Sequence, residues 1–151
     1  MAEYLIDTNL LVSILVKNNP WHSTATKSVA ILEQQQNYLN IVPQNIIELW
    51  NVCTRPANKN GLGLTDNATA LAVEDLENRF TLHLDTPEIY SVWKTLVAKY
   101  QVRGIQVHDT RLVAACLVHG LSHILTFNVK DFRRFSEITV VNPKQINQNS
   151  Q

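Results

Sequence analysis

The sequence predicts an α/β fold built on a mainly parallel sheet covered by helices on both faces. Three observations predict it. Short apolar runs that read as strands alternate with longer stretches of helical periodicity along the chain, the pattern of parallel strands joined by crossover helices. The opening stretch, Tyr4-Leu5-Ile6-Asp7-Thr8-Asn9-Leu10-Leu11-Val12, passes from a buried strand through one acid into an apolar helix. No repeat and no interior linker divides the chain. At 151 residues it is long enough to bury roughly two-thirds of its unfolded surface as one domain. That domain is expected over residues 1–145, with a polar, frayed tail over 146–151.

Glu3 to Ile6 is the first strand. Thr8 to Val16 is the first helix, ended by Lys17-Asn18-Asn19-Pro20. His22 to Gln36 is the second helix, with Ala25, Val29 and Leu32 at helical spacing. Tyr38 to Val42 is a strand. Pro43 opens the third helix, where a missing N–H costs little. That helix carries Ile46, Ile47, Leu49, Trp50, Val52 and Cys53 and ends at Arg55-Pro56. After a loop with Gly61 and Gly63, Thr65 caps a helix to Arg79, with its buried face expected at Ala68, Leu71, Ala72 and Leu76. Phe80 to Leu84 is the third strand. Thr86-Pro87 opens a helix to Tyr100 with Ile89, Val92, Trp93, Leu96 and Val97 inside. Past Gly104, His108 or Asp109 begins a strongly apolar helix that Gly120 closes. Ser122 to Phe127 is the fourth strand, Asn128 to Phe135 a short helix or turn, and Ile138 to Val141 the last strand.

Thirteen basic and thirteen acidic residues cancel, so net charge neither favours nor excludes a nucleic-acid partner. Cys53 and Cys116 lie far apart inside apolar helical patterns and read as reduced core thiols. No apolar run approaches the length of a membrane span. Glu3 and Asp7 interrupt any signal-like start, so a cytoplasmic location is expected. There is no Gly-x-Gly-x-x-Gly after the first strand and no Gly-rich loop ending in Lys-Ser/Thr, which disfavours nucleotide binding.

Four acids fall at matching places. Ligands of an open α/β sheet bind at the carboxyl ends of its parallel strands, which share one rim. Asp7 ends the first strand, and Glu48 sits in the first turns of the helix after the second. Asp109 is at the first turn of the apolar helix, and Asp131 lies just past the fourth strand. Carboxylates meeting there repel one another without a cation. Clustered Asp and Glu oxygens suit a hard divalent ion, Mg²⁺ or Mn²⁺, which polarises a phosphate and activates a water for in-line attack. Thr8, Asn9, Thr126 and Asn128 stand beside the acids, placed to orient carboxylates, waters or phosphate oxygens. Each acid also has a purely structural reading. Asp109 can cap its helix, and Asp131 and Asp7 can serve turns. Glu48, of a type rarely buried unpaired, can form a salt bridge to Arg111 or Arg55. Their joint placement is what favours a site.

These residues resemble the motifs of the PIN-domain family, metal-dependent nucleases that include the VapC-type toxins of bacterial toxin–antitoxin pairs. Leu5 to Val12 resembles the family's first motif, and Pro43 through Glu48 to Pro56 its second. His108-Asp109-Thr110-Arg111-Leu112-Val113-Ala114-Ala115 resembles the third, and Leu125 to Phe132 the fourth. The resemblance spans nearly the whole chain in the expected order. It implies a three-layer α/β/α sandwich and Mg²⁺- or Mn²⁺-dependent hydrolysis of RNA phosphodiesters. Carried over by position, it makes Asp7 and Asp109 metal ligands. Glu48 becomes a further ligand, direct or through water, or the holder of the attacking water. Many members have an acid where this chain has Asn128, with Asp131 three residues later; either Asp131 compensates or the second metal site is weak. For a toxin the resemblance implies a cognate antitoxin capping the acidic rim, and often a homodimer. Trp21, Trp50 and Trp93 are candidates for that dimer interface, although a buried core position is expected for each.

The leading expectation is therefore a small metal-dependent ribonuclease. Arg111, Lys130, Arg133 and Arg134, with Arg55 and Arg103, would grip RNA phosphates. The alternative is a weakly active or inactive PIN-like module that binds RNA or protein. Asn128 favours it; the cost of gathering Asp7, Glu48 and Asp109 disfavours it. A phosphatase with Asp7 as nucleophile lacks the second acid of an Asp-x-Asp start, since residue 9 is Asn.

Overall fold

Tyr4, Leu5 and Ile6 are all buried, and a strand buried on both faces belongs at the centre of a sheet. β1 (Glu3–Ile6) takes that place. In the computed structural model, which describes residues 1–149, β2 (Tyr38–Ile41), β3 (Thr81–Leu82), β4 (His123–Leu125) and β5 (Thr139–Val141) complete a sheet of order β3-β2-β1-β4-β5. Every pairing is parallel, with Leu5 opposite Asn40 and Ile6 opposite Leu125. The helices are α1 (Thr8–Leu15), α2 (His22–Gln34), α3 (Pro43–Thr54), α4 (Asp66–Arg79), α5 (Glu88–Tyr100), α6 (Gln106–His119), α7 (Val129–Phe132) and α8 (Pro143–Asn149).

Strand alternation sorts the core into two layers. Tyr4, Ile6, Leu39, Ile41 and Leu125 pack against Leu10 and Leu11 of α1, Val29 and Leu32 of α2, Leu49 of α3 and Leu76 of α4. Leu5 and Ile124 face the other way, onto Ile89 and Leu96 of α5, Leu112 and Cys116 of α6, and Phe132 of α7. The expected three-layer α/β/α sandwich is present. Cys53 and Cys116 are buried free thiols. Among the described residues no helix is long and apolar enough to cross a membrane.

Several local expectations are corrected. α6 starts at Gln106, ahead of His108 and Asp109. Gly104 adopts a φ of +67°, which glycine reaches without strain, and Val107 N donates to Gly104 O. The helix begins as soon as that turn is closed. Asp109 therefore lies inside the first turn and does not cap; Ile105 holds the cap position and contributes no side-chain bond. The inner face of α4 is Thr69, Val73 and Leu76, with Leu71 and Ala68 exposed. β3 is an edge strand of two residues, and Leu84 is exposed beyond it. On α3, Ile47 and Trp50 face solvent. The polar tail is helical through Asn149: Ile146 packs on the core, and Asn147 Nδ2 donates to Thr24 O at 3.3 Å. The last two residues of the expected frayed segment, 150 and 151, lie outside the described residues.

Candidate active site

Asp7 ends β1 beside β4, where the strand order reverses direction, and such a reversal opens a crevice at the carboxyl edge of a sheet. Its residue is 6 % exposed. Oδ1 accepts from Thr8 N at 2.8 Å, and Oδ2 accepts from Thr126 Oγ1 at 2.7 Å. Burial pushes its carboxyl up to about 6 against those two bonds, and Glu48 and Asp131 add repulsion. Asp7 also holds the cap position of α1, so its structural and chemical readings coexist.

Glu48 projects from α3, partly buried. Its Oε1 accepts from Thr8 Oγ1 at 2.8 Å and its Oε2 from Gln44 Nε2 at 3.4 Å. Neither arginine pairs with it. Arg111 bridges to Asp85 at 3.3 Å and donates to Gln44 Oε1, while Arg55 donates to Asn60 O. A hydroxyl and an amide hold this carboxylate, so the salt-bridge reading fails.

Asp109, also partly buried, makes no hydrogen bond or ion pair among the described residues. Burial pushes it up to about 7, and Asp7, Asp131 and Glu48 each add repulsion. Glu48 and Asp131 thus act on both Asp7 and Asp109. An open cleft of about 570 Å³ is lined by Asp7, Glu48 and Asp109, with Thr8, Asn9 and Asn128 beside them. Asp131, Lys130 and Arg133 border an adjoining cleft that shares Asn128 and Phe127. Arg111 borders another that shares Glu48 and Asn51. Arg134 is bonded to Gln106 Oε1, and Arg103 is exposed.

The donor chemistry fits a hard divalent ion: carboxylates with hydroxyl and amide oxygens, and no sulfur or imidazole lining the cleft. Among the described residues no three Asp, Glu, His or Cys side chains form a ready-made metal-binding group. Two groups at the cleft nevertheless lack what an ion and its waters supply. One is the donor-free carboxylate of Asp109. The other is Asn9 Oδ1, buried without a hydrogen-bond partner while its amide nitrogen donates to Thr126 Oγ1 at 3.4 Å. A buried oxygen such as that of Asn9 is normally satisfied.

A family model for the PIN domain matches residues 4–138. The chain belongs to the PIN domain family. No curated protein matches it. Among solved structures, the PIN domain is similar to VapBC2 from Rickettsia felis bound to a DNA fragment from its promoter, at 15% identity and a TM-score of 0.68, covering 92% of this chain and 97% of that one. VapBC-1 from nontypeable Haemophilus influenzae gives 22% identity and 0.68, over 93% and 98%. VapC20 from Mycobacterium tuberculosis, a sarcin-ricin loop cleaving toxin, gives 14% and 0.65, over 89% and 98%. At these identities the likeness is one of fold.

Two residues of this PIN domain's site escaped the sequence reading. Gln44, 8 % exposed, donates to His108 O at 2.7 Å as well as to Glu48, tying α3 to α6. Asn45, fully buried, accepts from Val42 N at 2.9 Å and donates to Thr8 Oγ1 at 3.2 Å. Their only signal was two amides directly behind Pro43 in an apolar stretch. Thr8 joins Asn45 to Glu48, so Thr8→Val leaves a buried amide donor unpaired. A loss of about 1–3 kcal/mol is expected, measured by urea denaturation.

Proposed function

We propose that this PIN domain is an endoribonuclease dependent on Mg²⁺ or Mn²⁺, and that it is the toxin of a toxin–antitoxin pair. One observation carries the nuclease: a partly buried Asp109 without a donor shares an open cleft with Asp7 and Glu48 and is repelled by both and by Asp131. Like charges so placed raise each other's pKa and favour a bound cation. Held by Asp7, Glu48 and Asp109, the ion would polarise the scissile phosphate and lower the pKa of a water.

The chain's own groups supply the rest. Thr8 N and Thr126 Oγ1 fix both oxygens of Asp7, so that ligand enters preorganised. Glu48, steadied by Thr8 and Gln44 on the α3 side, would hold the ion directly or through the attacking water, which it would then orient. Arg111, on one side of the cleft, and Lys130, on the other, hold the phosphates that flank the cut. The toxin reading is supported by the fold shared with VapBC structures. Its partner would be an antitoxin segment that covers the cleft and sets an Arg or Lys against the acids. Exposed Ile47 and Tyr90 offer an apolar surface for a homodimer. The site of action would be the cytoplasm.

Asn128 favours a second reading, a binding module without turnover. It is exposed at the lip of the cleft and brings no charge, whereas Asp131 repels both Asp7 and Asp109. Asp131→Asn is therefore expected to lower kcat/KM about tenfold, and Asn128→Ala by less. If neither change matters, the site needs only three acids. Purified protein is expected to cut RNA with Mg²⁺ or Mn²⁺ and to stop in EDTA. RNA that is bound but never cut with either ion would favour the binding module.

A further inference from the structure

Trp21 is 42 % exposed, in the turn before α2. Its position is fixed by its backbone: Trp21 N donates to Asn19 Oδ1 at 2.8 Å, and its carbonyl accepts from Ala25 N. The indole leans on Phe127, with ring centroids 5.2 Å apart. Lys144 Nζ of α8 lies 4.3 Å from the indole centroid. Segments from three distant parts of the sequence thus converge on one ring. Trp21 and Phe127 line the same cleft as Asp7, Glu48 and Asp109.

That cleft poses a problem for a polyanion. Among the described residues lining it there are three carboxylates and neither Lys nor Arg. Without a cation, phosphates gain nothing from that lining, so a contact inside the cleft that favours a nucleic acid must be one that carboxylates do not oppose. Stacking of a base on an aromatic ring is such a contact. The amides of Asn19, Asn51 and Asn128 border the same space and offer donors and acceptors to a base edge.

We propose that Trp21, backed by Phe127, is a stacking platform for one unpaired nucleobase of the RNA, and that Lys144 contacts the phosphate of that nucleotide. The assignment of the bound polymer as RNA rests on the ribonuclease reading. The base arriving on the indole displaces the ammonium from the ring face to the phosphate that comes with it. Stacking selects for unpaired RNA, because a base in a duplex has no free face to offer.

The test is binding of a short fluorescein-labelled single-stranded RNA by anisotropy in EDTA, which needs no turnover. Trp21→Ala is expected to raise Kd about 5- to 150-fold. Trp21→Phe keeps a ring, and its Kd should stay near that of the wild type. Lys144→Gln should lower the dependence of log Kd on log salt by about one phosphate contact. An oligonucleotide with abasic sites should bind the wild type weakly and no longer distinguish Trp21→Ala. Equal weakening of intact and abasic RNA by Trp21→Ala would reveal a merely structural effect and overturn the platform. So would an unchanged Kd, which leaves the ring to a protein partner, or no binding of intact RNA by the wild type. Base-dependent binding without cleavage in Mg²⁺ or Mn²⁺ keeps the platform and removes the nuclease. Cleavage with an indifferent Trp21 does the reverse.

Discussion

Asp7→Asn is expected to lower cation-dependent RNA cleavage on the order of a thousandfold while the protein stays folded. Asn has the volume of Asp and keeps one oxygen that can accept from Thr126 Oγ1 or Thr8 N, the two donors that now hold the carboxylate. What it removes is charge, at the most deeply buried of the four acids. The cation then loses its best-oriented ligand. Initial rates on a structured RNA check the first half, and circular dichroism with a thermal melt checks the second. Undiminished cleavage by the variant would remove Asp7 from the site.

In the metal-free protein, Asp109→Asn is expected to raise the Tm at pH 8 by about 3–6 °C. Asp109 is pushed up to about 7 and Asp7 to about 6, against about 3.9 in an unfolded chain. The folded state therefore holds protons more tightly than the unfolded state. Stability falls as pH rises from about 4 through about 7, then levels. For Asp7 alone the loss is on the order of 2–3 kcal/mol. An amide at 109 mimics the protonated acid, and it gives up no hydrogen bond, because Asp109 makes none. Wild-type protein should recover its melting temperature at pH 8 when Mg²⁺ or Mn²⁺ is added, since a ligand of the folded state stabilises it. The variant should gain much less. A variant that melts below the wild type at pH 8 without metal would show that Asp109 is a structural acid.

The fold was legible because its determinants are local. Continuous apolar strands, helical spacing and Pro43 at a helix start are written in short windows, and the layers followed from them. The acids were legible for a related reason. Asp7 directly follows β1, Glu48 and Asp131 lie on the helices that follow β2 and β4, and Asp109 lies in the first turn of α6; the carboxyl ends of parallel strands and the helices that leave them share one rim. What stayed hidden depends on neighbours distant in sequence. Trp21 and Trp50 look like core residues until the packing leaves them exposed. Gln44 and Asn45 look like ordinary polar residues of a first turn until Thr8, Glu48 and His108 come within reach. The start of α6 turned on the conformation of Gly104, and the helical tail on a groove that α2 and the core provide.

The central claim is that these carboxylates exist to hold a cation. Calorimetric titration of the purified protein with Mn²⁺ at pH 7.5 tests it most directly, with Asp7→Asn titrated in parallel. Saturable binding to the wild type that releases protons, and is lost in the variant, is the predicted result. A wild-type protein that takes up no Mn²⁺, or a variant that binds it equally well, would contradict the account.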